Sequence, residues 1–153
     1  MTDSPVLAKS WSELTTSELY SFVKLRTDVF FVEQKVDEEE LDNRDQEPGT
    51  RHYWIEDATG CAAYIRVLLH EEAEHLDARL IIGRVVVRAD RRGEGLAQLL
   101  LARALEDFAG QPMLLHAQQY VAPLYAKFGF EEFGEPFEEA TIMHIGMYRA
   151  GSK

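Results

Sequence analysis

Residues 88–100, RADRRGEGLAQLL, place three arginines and two glycines at the start of a leucine-rich helical pattern, directly after the apolar run LIIGRVVV. The first amide groups of a helix have no acceptor within the helix, and the helix dipole adds partial positive charge there. Glycine lets a phosphate approach the backbone, and arginine adds charged hydrogen bonds. Rather than a turn with solvated arginines, we predict a diphosphate cradle made of Arg92, Gly93, Glu94, Gly95, Leu96 and Ala97.

Two better-known nucleotide-binding loops do not fit this stretch. A dinucleotide fingerprint requires a third glycine or alanine three residues after Gly95, where the sequence has Gln98. A P-loop requires Gly-Lys followed by Ser or Thr, which the sequence lacks. A nucleotide-dependent oxidoreductase is therefore a disfavoured alternative.

The overall composition narrows the class of partner. The 153 residues, 46% of them hydrophobic, suit a single domain spanning 1–153. A formal net charge of −11 disfavours nonspecific binding to nucleic acid or to an anionic membrane, and favours cationic partners such as amines. Because the sequence has neither a signal peptide pattern nor an apolar run of membrane-spanning length, we expect a soluble, cytoplasmic protein.

Two features that resemble metal-binding or redox motifs are better explained as ordinary structure. HEEAEH (70–75) is similar to the zinc signature H-E-x-x-H, but its spacing is one residue longer and it lies in a polar connection. Cys61 is the only cysteine, which leaves neither an internal disulfide nor a thiolate zinc cluster. Its strand-like setting predicts a buried side chain, and no metal is predicted.

Hydrophobic patterning predicts strands and helices around one sheet. Thr15 and Glu18 form a capping box in front of a helical stripe, with Leu14 and Leu19 spaced as a hydrophobic staple. RHYWIED and CAAYIRVLL indicate an antiparallel hairpin that turns at Thr59–Gly60. The other predicted elements are a strand near Val6–Trp11, an acidic loop (36–50), a strand (79–87), a helix (95–108), a strand (113–117), a short helix (121–128) and a last strand (141–149). This order predicts a mixed α/β or α+β domain.

Several of these segments resemble one family. The cradle fits R-x-x-G-x-A and is similar to the diphosphate-binding signature Q/R-x-x-G-x-G/A of the GNAT superfamily of N-acetyltransferases. APLYAKFGF (122–130) resembles the family's A-x-x-LY-x-K-x-GF segment. Five further pieces are similar to the ElaA-like branch: LRTDVFFVEQ (25–34), AAYIRV (62–67), IGRVVV (82–87), HAQ (116–118) and HIGM (144–147).

The resemblance implies a fold and a cofactor. GNAT proteins have a mixed, mostly antiparallel central sheet flanked by helices, in which two neighbouring central strands splay apart. The pantetheine arm of acetyl-CoA (CoA) enters the gap and pairs with the first of these strands, which corresponds here to Leu80–Val87. The resemblance therefore predicts cofactor contacts from Val85, Val86 and Val87 and a second splayed strand at Met113–Ala117. Gln118 lies where many members have asparagine, so its cofactor contact depends on a longer amide side chain.

The resemblance also implies catalytic roles. Tyr125 matches the tyrosine that protonates the departing thiolate, and a phenol, with a pKa of about 10, is protonated at neutral pH. A backbone N–H near Val87 matches the family's oxyanion donor. Candidates for the base that deprotonates the amine are Glu33, His116 and, more distantly, His144, while a water chain would need none of them. Each has a structural alternative, a solvated helix-terminal glutamate or a core histidine.

Arginines that interrupt apolar strands are candidates for contact with the acceptor. Arg66 and Arg84 either point to solvent or face the cleft with a carboxylate such as Asp42, where they would orient a substrate or hold the site in shape. We predict that Arg66, Arg84 and His144 line the acceptor site. The acidic run at 37–47 is expected to be a solvated loop, which would favour a cationic amine if it bordered that site.

Together these observations predict an acetyl-CoA-dependent N-acetyltransferase. An acetyl group would move to a primary amine by direct attack in a ternary complex, and the acceptor would be a small molecule or a peptide. The alternative is a non-catalytic acyl-CoA-binding or regulatory module on the same fold. The oligomeric state stays open, with a homodimer among the options.

Overall fold

The computed structural model describes residues 5–152. The strands in this part of the chain form one seven-stranded sheet. Its strands are β1 (Leu7–Lys9), β2 (Arg51–Asp57), β3 (Gly60–Leu69), β4 (Leu80–Val87), β5 (Met113–Gln118), β6 (Glu131–Glu139) and β7 (Ile142–Arg149). The strand order is β1-β2-β3-β4-β5-β7-β6, and every neighbouring pair is antiparallel except the parallel pair β4 and β5. The predicted mixed, mostly antiparallel sheet is confirmed.

Three α-helices flank the sheet: α1 (Thr16–Arg26), α2 (Leu96–Asp107) and α3 (Ala122–Ala126). The predicted capping box starts α1, because the amide of Glu18 donates to Thr15 Oγ1 at 3.1 Å and the amide of Thr15 donates to Glu18 Oε1 at 2.9 Å. The same helix continues without a break as a π-helix over Thr27–Glu33. Such wider turns are rare and occur often at functional sites. None of the helices in residues 5–152 has the length and apolar character needed to cross a membrane.

Strands β4 and β5 separate after a short paired stretch. Only residues 80–82 of β4 pair with residues 113–115 of β5, and both strands continue beyond that point without pairing to each other. A bulge in β4 accompanies the divergence, because Gly83 pairs with Arg66 and Val86 with Tyr64, leaving an extra residue between them. Arg84 within this bulge has a left-handed backbone with φ of 52°. The predicted splayed pair is confirmed.

The core lies on both faces of the sheet. Leu100, Leu101 and Ala104 of α2 pack with alternate residues of β3, β4 and β5 on one face. On the other face, Phe22 and Leu25 of α1 pack in a second cluster with strand residues. Because side chains alternate along each strand, neighbouring residues of β5 face opposite layers.

Strand β6 was not predicted. Its sequence, EEFGEPFEE, has a glycine and a proline inside it and almost no alternation of apolar residues. The strand lies at the edge of the sheet and pairs with β7 alone, with a register shift between Phe133 and Phe137. An edge strand tolerates proline and exposed charge, so its sequence does not need the alternation of apolar and polar residues that predicts a strand.

Candidate active site

The divergence of β4 and β5 opens a cleft of about 680 Å³ that brings distant parts of the chain together. Most of the predicted site residues line it: Glu33, Arg66, Arg84, Val85, Val86, Val87, Arg92, Ala97, His116, Gln118, Tyr125 and His144. The remaining cradle residues lie in the loop before α2 and at the start of that helix: Gly93, Glu94, Gly95 and Leu96. The cleft therefore brings most of the predicted site residues together, whereas the roles of these residues stay predictions.

The cleft has different chemistry on its two sides. Leu115 and Ala117 of β5 pack in the same cluster as Tyr125, on the face covered by α2. His116 lies between them in sequence and so faces the opposite side of the sheet, where α1 packs. The same alternation places His144 opposite the buried Ile145. Tyr125 thus lies on one side of the gap and both histidines lie on the other.

The predicted cradle has the backbone that an anion site requires. Gly93 and Gly95 have φ of 83° and 79°, a left-handed conformation that favours glycine, and no atom lies within 4 Å of where a Cβ would stand on either. Gly95 caps α2 without any side-chain hydrogen bond. No group in residues 5–152 accepts a hydrogen bond from the amides of Leu96 and Ala97. These amides are available to an anion.

Two of the three arginines have a structural role instead. Arg88 and Arg91 converge on Asp57 at the end of β2, with Nη1–Oδ1 at 3.1 Å and Nη1–Oδ2 at 2.7 Å respectively. Hydrogen bonds from Arg88, from Thr59 and from Arg91 hold the pKa of the Asp57 carboxyl well below its usual range. Only Arg92 of the three lines the cleft. Arg88 and Arg91, which the predicted cradle does not include, therefore fasten the loop to the β2–β3 hairpin.

Arg92 is bound by Glu33 from the end of the π-helix. Its Nη1 and Nη2 lie 2.8 and 2.9 Å from the two Glu33 carboxylate oxygens, and its Nε donates to the carbonyl of Val87 at 3.0 Å. The hydrogen bonds from Arg92 lower the pKa of Glu33. Glu33 is not buried, since 44% of its side chain is exposed, as in the solvated alternative for a helix-terminal glutamate. A carboxylate held in this way is a weak proton acceptor.

The backbone of β4 presents hydrogen-bonding groups to the gap. The amide of Arg88 donates to the carbonyl of Ala62 on β3 at 2.8 Å. Because successive residues of a strand direct their amide and carbonyl groups to opposite edges, those of Val87 face the gap. The bond from Arg92 to the Val87 carbonyl agrees with this direction. A linear amide-containing ligand in the gap would find a strand edge to pair with.

Tyr125 is a buried phenol at the wall of the cleft. Its side chain packs edge-to-face on Phe130 with ring centroids 6.3 Å apart, and only 5% of the residue is exposed. Within residues 5–152 the Tyr125 hydroxyl has no hydrogen-bond partner. Burial raises the pKa of this phenol, with a smaller contribution from Tyr120. Tyr125 is therefore protonated at neutral pH with its proton available to a ligand.

Arg66 and Arg84 bind the acidic loop rather than solvent. Arg66 Nη2 lies 2.8 Å from Asp42 Oδ2, and Arg84 Nε lies 2.9 Å from Glu40 Oε2. Although burial raises the pKa of Asp42, hydrogen bonds from Arg66 lower it to about 2. Both guanidinium groups line the cleft but are already paired, so they hold the site in shape. The loop is correspondingly not a solvated segment throughout.

A third arginine, from α1, completes this network and was missed as a site residue. Arg26 is fully buried and its Nη1 lies 2.8 Å from Asp45 Oδ1, while its Nε lies 2.6 Å from Glu40 Oε2. Arg66 also reaches Asp45, at 3.0 Å. The helical spacing placed Arg26 on the apolar stripe of α1, which was the available signal for burial. A fully buried cation requires partners, and these come from a loop with no regular pattern.

The histidines lie in an acidic corner of the cleft. His116 Nε2 is 2.6 Å from Glu74 Oε2, and its Nδ1 is 3.7 Å from Glu139 Oε1. His144 donates from Nδ1 to the carbonyl of Ile142 at 2.7 Å, which leaves Nε2 facing Glu139 at 3.8 Å. Neither glutamate was predicted. Glu139 lies on the unpredicted strand β6, whereas Glu74 lies inside the HEEAEH segment that resembled a zinc motif.

The end of the π-helix bridges both sides of the gap. Besides the ion pair of Glu33, Gln34 accepts a hydrogen bond from Gln118 Nε2 on β5 at 3.3 Å. Gln118 is thus engaged with protein where the resemblance implied a cofactor contact. Cys61 lies away from the cleft lining and is buried as predicted, and burial raises the pKa of its thiol to about 12.

The comparison with known families agrees with this architecture. The acetyltransferase (GNAT) domain matches residues 17–150, which include both splayed strands and the cradle. The chain therefore belongs to the GNAT acetyltransferase family.

Individual relatives narrow this to the ElaA-like branch. Protein ElaA of Escherichia coli is 37% identical over 144 residues, covering 90% of this chain and 91% of ElaA. The crystal structure of E. coli ElaA superposes with a TM-score of 0.85 at 34% identity, covering 94% of this chain and 98% of that one. An acyl-CoA N-acyltransferase from Pseudomonas aeruginosa has a TM-score of 0.85 at 36% identity, over 95% of this chain and 98% of its own. The family and these neighbours support acyl transfer from a CoA derivative.

Proposed function

We propose that this protein transfers an acetyl group from acetyl-CoA to a primary amine by direct attack in a ternary complex in the cytoplasm. One observation carries the proposal. The gap between β4 and β5 joins the free amides of α2 to the Tyr125 hydroxyl, which has no partner within residues 5–152. An anion site, a strand edge and a protonated phenol are the groups that a CoA thioester needs.

The cofactor would lie across the cradle and along β4. Its diphosphate would bind the amides from Gly93 to Ala97 and the Arg92 guanidinium, once Arg92 leaves Glu33. Its pantetheine arm would pair with the gap-facing edge of β4 at Val85 and Val87. The residues fit this group, since glycine conformation keeps the cradle open and the first amides of α2 lack acceptors within residues 5–152. The cofactor supplies the activated acetyl group, and the protein supplies orientation.

Proton transfers at the nitrogen and at the sulfur complete the reaction. The amine must first lose the proton that it carries at neutral pH. Its nitrogen then attacks the thioester carbonyl, whose developing negative charge would be stabilised by a β4 amide near Val87. The C–S bond would then break as Tyr125 gives its proton to the departing thiolate. The nitrogen would lose its second proton as the neutral amide forms, and that proton would restore the Tyr125 phenol through solvent.

The acceptor would enter from the side of the histidines. His116 is the first choice as base because its Nδ1 faces the cleft corner without a hydrogen-bond partner in residues 5–152. His144, Arg66 and Arg84 would form the walls of this side. Glu74 and Glu139 make it acidic, which favours a cationic small molecule or peptide amine.

The proposal is tested with a panel of primary amines and acetyl-CoA. Free CoA thiol and acetylated amine are measured together, the amide by mass spectrometry. We expect thiol and amide to appear in equal amounts with at least one amine. Stabilisation of the fold by CoA without transfer to any amine would favour the non-catalytic binding module instead.

A further inference from the structure

The connection between β3 and β4 delivers a carboxylate to the cleft. Glu74 Oε2 lies 2.6 Å from His116 Nε2, although 42 residues separate them in the chain. Two contacts fix the connection against the far side of the sheet. The His75 ring stacks on Phe133 with centroids 3.7 Å apart, and the Tyr148 hydroxyl donates to Asp77 Oδ1 at 2.5 Å. Glu74 is therefore placed by packing rather than lying in a free loop.

This contact determines which nitrogen of His116 accepts a proton. A carboxylate oxygen accepts hydrogen bonds, so in the neutral ring Nε2 carries the hydrogen and donates to Glu74. Nδ1 then holds the lone pair, and Glu139 Oε1, at 3.7 Å, is too far away for a hydrogen bond. Phe137 lies edge-on to the ring at a centroid distance of 5.3 Å and restricts its rotation.

Building on the proposed acetyl transfer, we propose that Glu74 is a positioning residue that orients His116 so that Nδ1 takes the proton of the acceptor ammonium. In this transfer one N–H bond of the ammonium breaks, one N–H bond forms on Nδ1, and the amine keeps the electron pair that attacks the thioester. The imidazolium lies between Glu74 and Glu139 and returns the proton to solvent at the exposed side of the corner.

The surrounding charges support a histidine that gains a proton readily. Glu74 comes from the β3–β4 connection and Glu139 from β6, and the nearby carboxylates of Glu139 and Glu74 raise the pKa of His116 against the opposing effect of burial. His144 on β7 faces Glu139 from the other side. Arg84 is the cation that acts on Glu139, and His70, whose own pKa is lowered by burial, is the other titratable group close to His116. The two carboxylates outweigh them.

The test compares Glu74→Gln, Glu74→Ala and His116→Gln with the matched control Glu72→Ala, an exposed glutamate on the same connection. The pH dependence of kcat is measured with one amine. Glu74→Gln keeps an acceptor for Nε2 but loses the charge, so the acidic limb of kcat shifts to lower pH. Glu74→Ala lowers the plateau of kcat about tenfold or more, Glu74→Gln restores part of it, and Glu72→Ala changes neither.

A second readout does not depend on turnover. Nitrogen-resolved NMR of the imidazoles follows the His116 titration and the hydrogen on Nε2. We expect Glu74→Gln and Glu74→Ala to lower the apparent pKa of His116, and Glu72→Ala to leave it unchanged. If the wild type is active and the acidic limb of kcat is unchanged in Glu74→Gln, the role of Glu74 is overturned while the proposed acetyl transfer stands. Absence of transfer by the wild type overturns the proposed function, and an unshifted His116 titration then overturns this inference as well.

Discussion

The guanidinium of Arg92 and the carboxylate of Glu33 form a two-bond ion pair of 2.8 and 2.9 Å across the mouth of the cleft. Of the arginines at 88, 91 and 92, only Arg92 lines the cleft, so a diphosphate bound in the proposed cradle would compete with Glu33 for the same cation. Removing the competing charge by Glu33→Gln should tighten CoA binding. An exposed ion pair is worth up to about 1 kcal/mol, so we expect a Kd decrease of about twofold to fivefold by calorimetric titration.

Two variants control this prediction. Asp28→Asn removes one negative charge from the same helical segment without touching Arg92, because Asp28 pairs with Lys24. It should leave the Kd almost unchanged, whereas Arg92→Gln should weaken binding. Tighter binding in Asp28→Asn to the same extent as in Glu33→Gln would show that only the net charge matters.

The left-handed backbone of Gly95 is the second testable feature. Its φ of 79° costs a residue with a Cβ about 1–2 kcal/mol, so Gly95→Ala should lower the free energy of unfolding by about that amount. The shift of the cap should also weaken CoA binding about tenfold, the equivalent of one charged hydrogen bond. Urea denaturation and titration with CoA measure the two effects.

Gly134 offers a matched control, since its φ is 70° and no atom lies within 4 Å of its Cβ position. Gly134→Ala on β6 should show a similar loss of stability with unchanged affinity for CoA. If both variants bound CoA like the wild type, the cap of α2 would not be part of the cofactor site.

The buried ion pairs of the acidic loop predict sensitivity to acid. Hydrogen bonds from Arg66 lower the pKa of Asp42 to about 2, and those from Arg26 lower the pKa of Asp45, in each case against burial. Both carboxyl groups bind protons more weakly in the folded state, so their stabilisation is complete above pH about 4 and is lost as the pH falls toward 2. Urea midpoints measured between pH 7 and pH 3 should fall accordingly.

Asp45→Asn isolates the central pair of that network. It leaves the fully buried Arg26 with less compensation and should cost about 3 kcal/mol at pH 7, with a smaller further loss at pH 3. Asp28→Asn, from an exposed pair, should change stability by less than about 0.5 kcal/mol. Equal effects of the two variants would contradict a structural role for the network.

The thiol of Cys61 should be unreactive towards thiol reagents in the native protein. It is 4% exposed and burial raises its pKa to about 12, so little reactive thiolate exists at neutral pH. A thiol reagent should modify less than one equivalent before unfolding and one equivalent in denaturant. The same property makes released CoA the only thiol seen in a transfer assay. Rapid native labelling would show that the strand around Cys61 opens.

Much of the fold was predictable because local signals agree with the tertiary structure. The capping box of Thr15, the glycines at 93 and 95 and the valine-rich strand each specify local conformation directly. The separation of β4 from β5 could be predicted only through the family resemblance, because no residue pattern in a single sequence indicates where the pairing of two strands ends.

The site's electrostatics could not be predicted in the same way. Glu40, Asp42 and Asp45 turn inward because one strand arginine, Arg66, and one helix arginine, Arg26, are buried beneath them, which is a long-range effect. Glu139 lies on an edge strand that has no apolar period. Glu74 could be suspected only from an unusual density of His and Glu in a connecting segment.

The most direct test is the rate of acetyl transfer by wild type and Tyr125→Phe with the same amine. Phenylalanine preserves the packing against Phe130, and the lost hydroxyl has no partner within residues 5–152, so stability should be retained. We expect wild type to release CoA and acetylated amine in equal amounts, and the variant to bind CoA normally while kcat falls about 100-fold or more. Equal rates in the two proteins would contradict the proposed role of Tyr125.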